Sequence, residues 1–478
     1  MNGWDQAFRP IADALAAVVF FEVPLGESRA PAVVLWLVAG AVWFTLRFRF
    51  VNLWGLRHAF DLVRGKGVGL EGEGELSHFQ ALSTAISGTV GIGNIGGVAV
   101  AISIGGPGAA LWMIVAGFLG MATKFVECTL GVVYRRRHDD GSVSGGPMHC
   151  LERGLAERGW PRLGAALGRF YAVGIVLGCL GIGNMFQSNQ AFVQAVGVTG
   201  GESSWLADKG WLVGLVLAAA VGMVIIGGIR SIASVTARLV PFMAALYLGF
   251  AWLVIAMNIE ALPWAIGQMF SEALSAPAVG GGALGALIIG FQRAVFSNEA
   301  GIGSATIAHA AVRTPHPVTE GFVALLEPFI DTIVVCSATA LVVMTTSYYV
   351  PGFTDGLGGI GMTSAAFERR LPWSPPFLAV AATLFAVSTM ISWSYYGLKG
   401  WTYLFGIGSG SDALFKLVFC GFVVLGCVVK LSAVLDFSDA LVFLICVPNI
   451  FGLYVLAPVV RRELDRYDEF LRRRSAGA

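Results

Sequence analysis

The stretch ALSTAISGTVGIGNIGGVAVAISIGGPG, residues 81–108, holds the densest set of groups able to handle a ligand. Gly88, Gly91, Gly93, Gly96 and Gly97 surround Asn94, and no Asp, Glu, Lys or Arg falls between Glu75 and Lys124. Each glycine costs a helix roughly 1 kcal/mol against alanine, so this composition is a poor design for a plain membrane anchor. One explanation is close packing, because Gly93 and Gly97 have the small-xxx-small spacing that lets helices approach in lipid. The other is a helix broken near Gly91–Asn94. Such a break exposes N–H groups at the start of its second half, which suit an anionic group. It also exposes carbonyls at the end of its first half, which suit a cation.

A second interruption follows in GFQRAVFSNEAGIGSATIAHAAV, residues 290–312, where Ser297, Asn298 and Glu299 precede Gly301-Ile302-Gly303-Ser304. A carboxylate at membrane depth costs roughly 2.5–3.5 kcal/mol on insertion scales. Glu299 therefore needs Arg293, freed backbone N–H groups or an exchanged proton, and a structural role is the expected one. In FAVSTMISWSYYG (385–397), Ser388 and Thr389 follow the Phe385 carbonyl by three and four residues. On a helix these hard oxygens share a face and suit a small cation. Local chemistry alone favours the alternative, in which both hydroxyls bond back to their own helix. Trp393 lies one turn beyond Thr389 on that face. NMFQSNQ (184–190) sets Asn184 and Gln187 on one helix face, for interhelical hydrogen bonds or for a ligand pathway. Lys124 and Glu127 have the spacing of an intrahelical ion pair. Glu327 and Asp331 are four apart with like charge, so at least one must be protonated or meet a cation. His309 reads as an interfacial histidine.

The elements that position these residues follow from composition. The 478 residues are 56% hydrophobic and 13% charged, with mean hydropathy +0.75. Soluble proteins carry about 25% charged residues, so the chain is an all-α integral membrane protein. Its net charge of +1 gives no nucleic-acid signal. The seven cysteines form no CxxC pair and read as packing residues. Asp5, Asp13 and Glu22 around a short apolar run are unlike a signal peptide, and predict an interfacial helix. Apolar runs of about 20 residues predict eleven spans, near 31–48, 81–104, 108–133, 170–198, 211–229, 239–258, 284–311, 321–345, 376–398, 411–430 and 437–458. Of the 31 Lys and Arg, 23 fall in connections on one side and six on the other, placing the N-terminus outside and the C-terminus in the cytoplasm. Each Gly-x-Gly break opens a set of five spans. Five is odd, so the second set enters from the opposite face, the arrangement of an inverted repeat with two discontinuous helices. The chain divides into 1–76 with an extra transmembrane helix, a first repeat 77–258, an outer connecting loop 259–283, a second repeat 284–458 and a cytoplasmic basic tail 459–478. The tail reads as a solvated topology signal.

GTVGIGNIGGVAVAI, KFVE, LGVVYR, GGPM, NMFQSNQ, SNEAGIGSATIAHAA, EPFIDTIVVC and FAVSTMISWSYYG, in this order along nearly the whole chain, resemble the alanine/glycine:cation symporter family. The resemblance implies a LeuT-type fold, with a 5+5 inverted repeat in spans two to eleven and one extra N-terminal helix. It implies a multi-pass protein of the plasma membrane, the inner membrane of a bacterium, that takes up alanine or glycine with sodium. Proton coupling, serine and glutamine are the alternatives. No cofactor is expected beyond Na+ as coupling ion; the expected partners are the amino acid, Na+ and the lipid bilayer, and no nucleic acid. A zwitterion needs donors for its carboxylate, and the resemblance assigns them to the N–H groups of Gly91, Ile92 and Gly93, with Thr89 beside them. It assigns the carbonyls of Ser87 and Val90 to sodium, and Asn94 to linking both regions. Ser388, Thr389 and the Phe385 carbonyl become a second sodium wall, with Thr389 also at the substrate. Trp393 caps the substrate and Gln187 faces it. Phe296, Ser297, Asn298 and Ile302 line the opposite wall. The family often has a hydroxyl residue where this chain has Ile92, a departure that bears on substrate identity. A channel would need a continuous polar stripe, whereas polarity clusters at the breaks and in span four. An enzyme would need a nucleophile–base pair or a metal-ligand set, and the sequence displays neither.

Overall fold

A computed structural model of the chain describes residues 3–25, 28–66, 72–139, 141–274, 282–348, 359–429 and 432–476. Helix α1 (Gly3–Val19) leads through the antiparallel hairpin β1 (Glu22–Leu25) and β2 (Ser28–Pro31), with Glu22 opposite Pro31. Helices α2 (Ala32–Arg47) and α3 (Val51–Val63) meet at 74°, where Arg49 and Phe50 take positive φ. Helix α4 (His78–Thr89) starts on a capping box: the Gln80 N–H donates to Ser77 Oγ at 3.2 Å and the Ser77 N–H to Gln80 Oε1 at 3.0 Å. A wide π-turn (Gly93–Gly97) joins it to α5 (Val98–Val133), which bends before Pro107 because Gly106 takes φ 68°.

The chain continues through α6 (Pro161–Leu180), a further π-turn (Gly181–Met185), α7 (Phe186–Val198), α8 (Gly210–Ile225) and α9 (Gly228–Met257). Next come α10 (Leu262–Leu274), α11 (Gly282–Asn298) and α12 (Ala305–His309). Helix α13 (Pro317–Ala324) runs through another π-turn (Phe329–Cys336) into α14 (Ser337–Thr346). Last are α15 (Gly359–Glu368), α16 (Ser374–Phe405), α17 (Ser409–Val428) and α18 (Ser432–Ala476).

Among the described residues, seven helices are long and apolar enough to cross a membrane, or eight if the bent α2–α3 pair is one span. The other predicted spans fall short for physical reasons. Two are interrupted at their glycines, and α8 has only 16 residues. The loop predicted at 259–283 contains α10; residues 275–281 of it, and Lys430, lie outside the described residues. One apolar core runs from Val19 to Tyr467, and large side chains such as Trp211, Val216, Met223 and Trp252 point outward on α8 and α9. An apolar surface around an apolar core is that of a multi-pass membrane protein. All seven cysteines are free and six are buried, consistent with packing roles.

Candidate functional site

Two chain interruptions face each other. Helix α4 ends at Thr89, Val90 turns extended (φ −74°, ψ 94°), and Gly91 leads into the π-turn. Asn94 closes the gap: its Oδ1 accepts the Gly91 N–H at 2.8 Å, and its Nδ2 donates to Ser297 Oγ at 2.9 Å and to the Asp331 carboxylate. Among the described residues, nothing lies within 4 Å of where a Gly97 Cβ would stand. Opposite, α11 ends at Asn298, and Glu299, Gly301 and Gly303 take φ of 56°, 96° and 86° before α12. That region suits glycine and strains Glu299. Its carboxylate is held by Trp393 Nε1 at 3.1 Å and by the Ser304 hydroxyl, not by Arg293, which lies 4.0 Å from Asp439. Trp393 Nε1 also donates to the Gly88 carbonyl at 3.3 Å, so this indole is a strut between the breaks.

Around the first break, the residues assigned to sodium come together in part. Ser87 Oγ donates to the Ser388 carbonyl at 2.8 Å and lies 2.6 Å from Ser388 Oγ, joining α4 to α16. Phe385 is buried and meets Tyr247 edge-on at 5.8 Å. Among the described residues, Thr389 Oγ1 is buried without a hydrogen-bond partner, so it is not bonded back to its own helix. A Cβ on Gly91 would stand 2.8 Å from Thr389 Oγ1 and 3.5 Å from Gln187 Oε1, which is also buried without a partner. Two buried polar oxygens therefore converge on the glycine at the break. Gln187 Nε2 is held by the Ile182 carbonyl at 3.2 Å. Thr89 instead turns its hydroxyl onto Ile86 and Ala85 of its own helix, while Ile92 is buried in the turn.

Of the four residues expected opposite, Phe296 and Ser297 reach the first break: Phe296 lies 3.4 Å from a Gly93 Cβ position, and Ser297 bonds to Asn94. Asn298 bonds to Thr332 at 2.9 Å and to the Ala300 N–H at 3.0 Å, and the Ile302 carbonyl accepts the Tyr171 hydroxyl at 2.9 Å. Asn184, inside the π-turn, donates to the Phe419 carbonyl at 2.7 Å, whereas Gln187 lies just beyond the turn with its Oε1 beside Gly91. Asn189 likewise ties its helix to α17, through the Gly426 carbonyl at 2.9 Å.

Several charged residues depart from expectation. Lys124 bonds to Glu327 at 2.9 Å rather than to Glu127. Glu127 accepts the freed Gly301 N–H at 2.9 Å and Asn449 Nδ2 at 2.8 Å, the duty considered for Glu299. His309 is fully buried between Glu320 and Glu327, not interfacial. Tertiary proximity overrides helix spacing in each case. Asp331 was legible only as half of a like-charge pair. Its carboxylate is buried between the breaks, accepts Ser297 Oγ at 2.7 Å and Thr332 Oγ1 at 2.8 Å, and has no ion-pair partner among the described residues.

The model of the sodium:alanine symporter family matches residues 20–477. The sodium/alanine symporter AgcS of Methanococcus maripaludis is 39% identical over 450 residues, 94% of this chain and 96% of that protein. The probable sodium/glutamine symporter GlnT of Bacillus subtilis is 34% identical over 439 residues, 90% and 86% of the two chains. In architecture the chain is similar to the crystal structure of MhsT in complex with L-phenylalanine, with TM-score 0.53 and 15% identity over 80% of this chain and 89% of that one. These likenesses span the interrupted helices and the helices that frame them, and the chain belongs to the sodium:alanine symporter family.

Proposed function

We propose that the chain is a secondary active transporter that carries a small neutral amino acid, alanine or glycine, into the cell together with sodium by alternating access. The observation that carries this reading is the convergence of Thr389 Oγ1 and Gln187 Oε1, both buried and unpartnered, on Gly91. A buried polar atom without a partner costs about 1–3 kcal/mol, and a zwitterion at the break offsets that cost with its ammonium. The N–H groups of Gly91, Ile92 and Gly93 receive its carboxylate. Sodium sits at the junction of α4 and α16, with Ser87, Val90, Phe385, Ser388 and Thr389 supplying oxygens. Asp331 adds a buried negative charge that a cation near Asn94 and Ser297 neutralises.

Both ligands then stabilise one arrangement of the same two interrupted helices, which is the physical content of coupling. Moving one charge inward across 100 mV supplies about 2.3 kcal/mol besides the sodium gradient. The reading includes eleven spans in two inverted sets of five plus an N-terminal helix, with the N-terminus outside and the tail in the cytoplasm of the plasma membrane. The names of the relatives support the substrate class: sodium/alanine symporter, probable sodium/glutamine symporter and amino-acid carrier. Uptake of labelled alanine into proteoliposomes, with and without an inward sodium gradient, tests it. Accumulation above equilibrium only with the gradient is expected; uptake indifferent to sodium removes sodium from the mechanism.

A further inference from the structure

A row of charge beside the second break plays no part in the site above. His78, the first residue of α4, bonds through Nδ1 to Glu320 on α13, and the other oxygen of Glu320 bonds to His309 Nδ1 on α12. His309 Nε2 meets Glu327 at 2.7 Å, and Glu327 meets Lys124 of α5 at 2.9 Å. Every side chain in this row is fully buried except His78, which is 5% exposed. An ionised carboxylate only accepts hydrogen bonds, so a ring nitrogen facing one carries a hydrogen. His309 faces carboxylates with both nitrogens and is therefore an imidazolium. His78 bonds to a carboxylate through Nδ1 alone, and its Nε2 is buried without a partner among the described residues. The charges then cancel: Lys124 and His309 against Glu320 and Glu327. Removing the His309 proton would leave one buried carboxylate uncompensated.

The segments that carry the row are also clamped together at this end. The Glu75 and Leu76 N–H groups donate to the Ala311 carbonyl at 2.7 and 3.0 Å, and the Arg313 N–H to the Leu76 carbonyl at 2.8 Å. Arg135 donates to the carbonyls of Ala310, Val312 and Glu73 at 3.1, 2.7 and 2.8 Å. Glu73, Arg135 and Thr314 also line a cleft of about 1050 Å³. Arg135, which lines that cleft, also faces Glu320.

We infer that this row is a proton-binding site of the transport cycle: it holds one proton while the Arg135 end is closed and releases it to cytoplasmic water when that end opens. The inference rests on the proposed transport reading, which places this end in the cytoplasm. Opening parts His78 from Glu320 and admits water. The Nδ1 proton of His309 leaves to water, the imidazole becomes neutral, and Glu320 stays ionised and solvated; closing reverses each step. A solvated imidazole has a pKa of about 6.5. Above that pH the closed form binds a proton that the open form lacks, so closing is favoured by acid and opening by alkali. Below it both forms carry the proton and the dependence ends.

The other groups facing the row are Glu127, Cys128 and Arg135 from α5 and its end, Glu299 at the second break, Asp331 on the π-turn after α13 and Tyr396 on α16. Glu127, Glu299 and Arg135 have their own partners. The ligand atoms of Cys128, His309 and Glu327 lie within 4.8 Å of one another, but the Lys124 ammonium on the same carboxylate opposes a metal cation there.

Amide hydrogen exchange of the purified full chain tests the inference, read on peptides covering 73–80 and 309–314 and corrected for intrinsic pH dependence. Between about pH 6.5 and 8.5, protection of the clamp should fall in the wild type, approaching tenfold per pH unit for one linked proton. Glu320→Gln leaves Lys124 and Glu327 balanced with the His309 imidazole neutral, so its clamp protection should not change with pH. Equal pH dependence in wild type and Glu320→Gln, or none in the wild type, overturns the proton site. Alanine binding in sodium by the same samples is the separate check on the transport reading, whose failure would appear as no binding in any of them.

Discussion

A methyl group on Gly91 would stand 2.8 Å from Thr389 Oγ1 and 3.5 Å from Gln187 Oε1. Crowding of that kind costs about 1–3 kcal/mol, so Gly91→Ala should weaken alanine binding roughly tenfold or more while the protein still reaches the membrane; calorimetric titration checks it. Asp331 tests the electrostatics of the same site. Asp331→Asn removes the charge and keeps one acceptor, so its oxygen still accepts Asn94 Nδ2 while an amide donor replaces the oxygen that accepts Ser297 Oγ. Its sodium requirement for alanine uptake should rise by about tenfold or more, in line with the 1.5–3 kcal/mol of a charged hydrogen bond; an unchanged sodium dependence would clear Asp331 of that role. Glycine spacing and Asn94 marked this site in the sequence because a break needs residues that tolerate non-helical backbone. Asp331 and Glu127 were not legible as parts of it, since spacing along one helix does not reveal which other helix a carboxylate touches.

At the scale of elements, α4 and α16 are joined by hydroxyl and carbonyl groups. Besides the Ser87–Ser388 contact, Ser392 Oγ donates to the Thr84 carbonyl at 2.8 Å. Ser388→Ala combined with Thr389→Ala should raise the sodium concentration for half-maximal uptake with less effect on the maximal rate. Lys124 anchors α5 to the segment carrying Glu327, with both side chains fully buried. Breaking a buried ion pair from one side costs about 3–5 kcal/mol, so Lys124→Met should lower the thermal unfolding midpoint in detergent markedly. The i, i+3 spacing suggested Glu127 for that pairing. The partner is instead on a neighbouring helix, because Glu127 is held by the Gly301 N–H and Asn449. Similarly, Asn184 lies inside the π-turn at Gly181–Met185 and Gln187 just beyond it, a change of helix pitch that apolar periodicity did not announce.

For the whole molecule, the distribution of Lys and Arg makes a direct topological prediction. A membrane-impermeant thiol reagent on intact cells should label an Arg9→Cys variant and spare Ser475→Cys, both positions being exposed; the reverse pattern would invert the orientation. The bilayer accounts for what could be read without coordinates. Lipid demands long apolar runs and internally bonded backbone, so the spans, the two interruptions and their Asn and Ser flanks appear in composition and spacing alone. What the sequence by itself determined, then, is a multi-pass helical protein with two glycine breaks in the order seen in its family. Only the tertiary structure decided which side chains meet across those breaks: Trp393 with Gly88 and Glu299, Asn94 with Asp331, and His309 with two carboxylates. Those pairings join residues distant along the chain, and their geometry is set by helix packing, which one-dimensional periodicity does not encode.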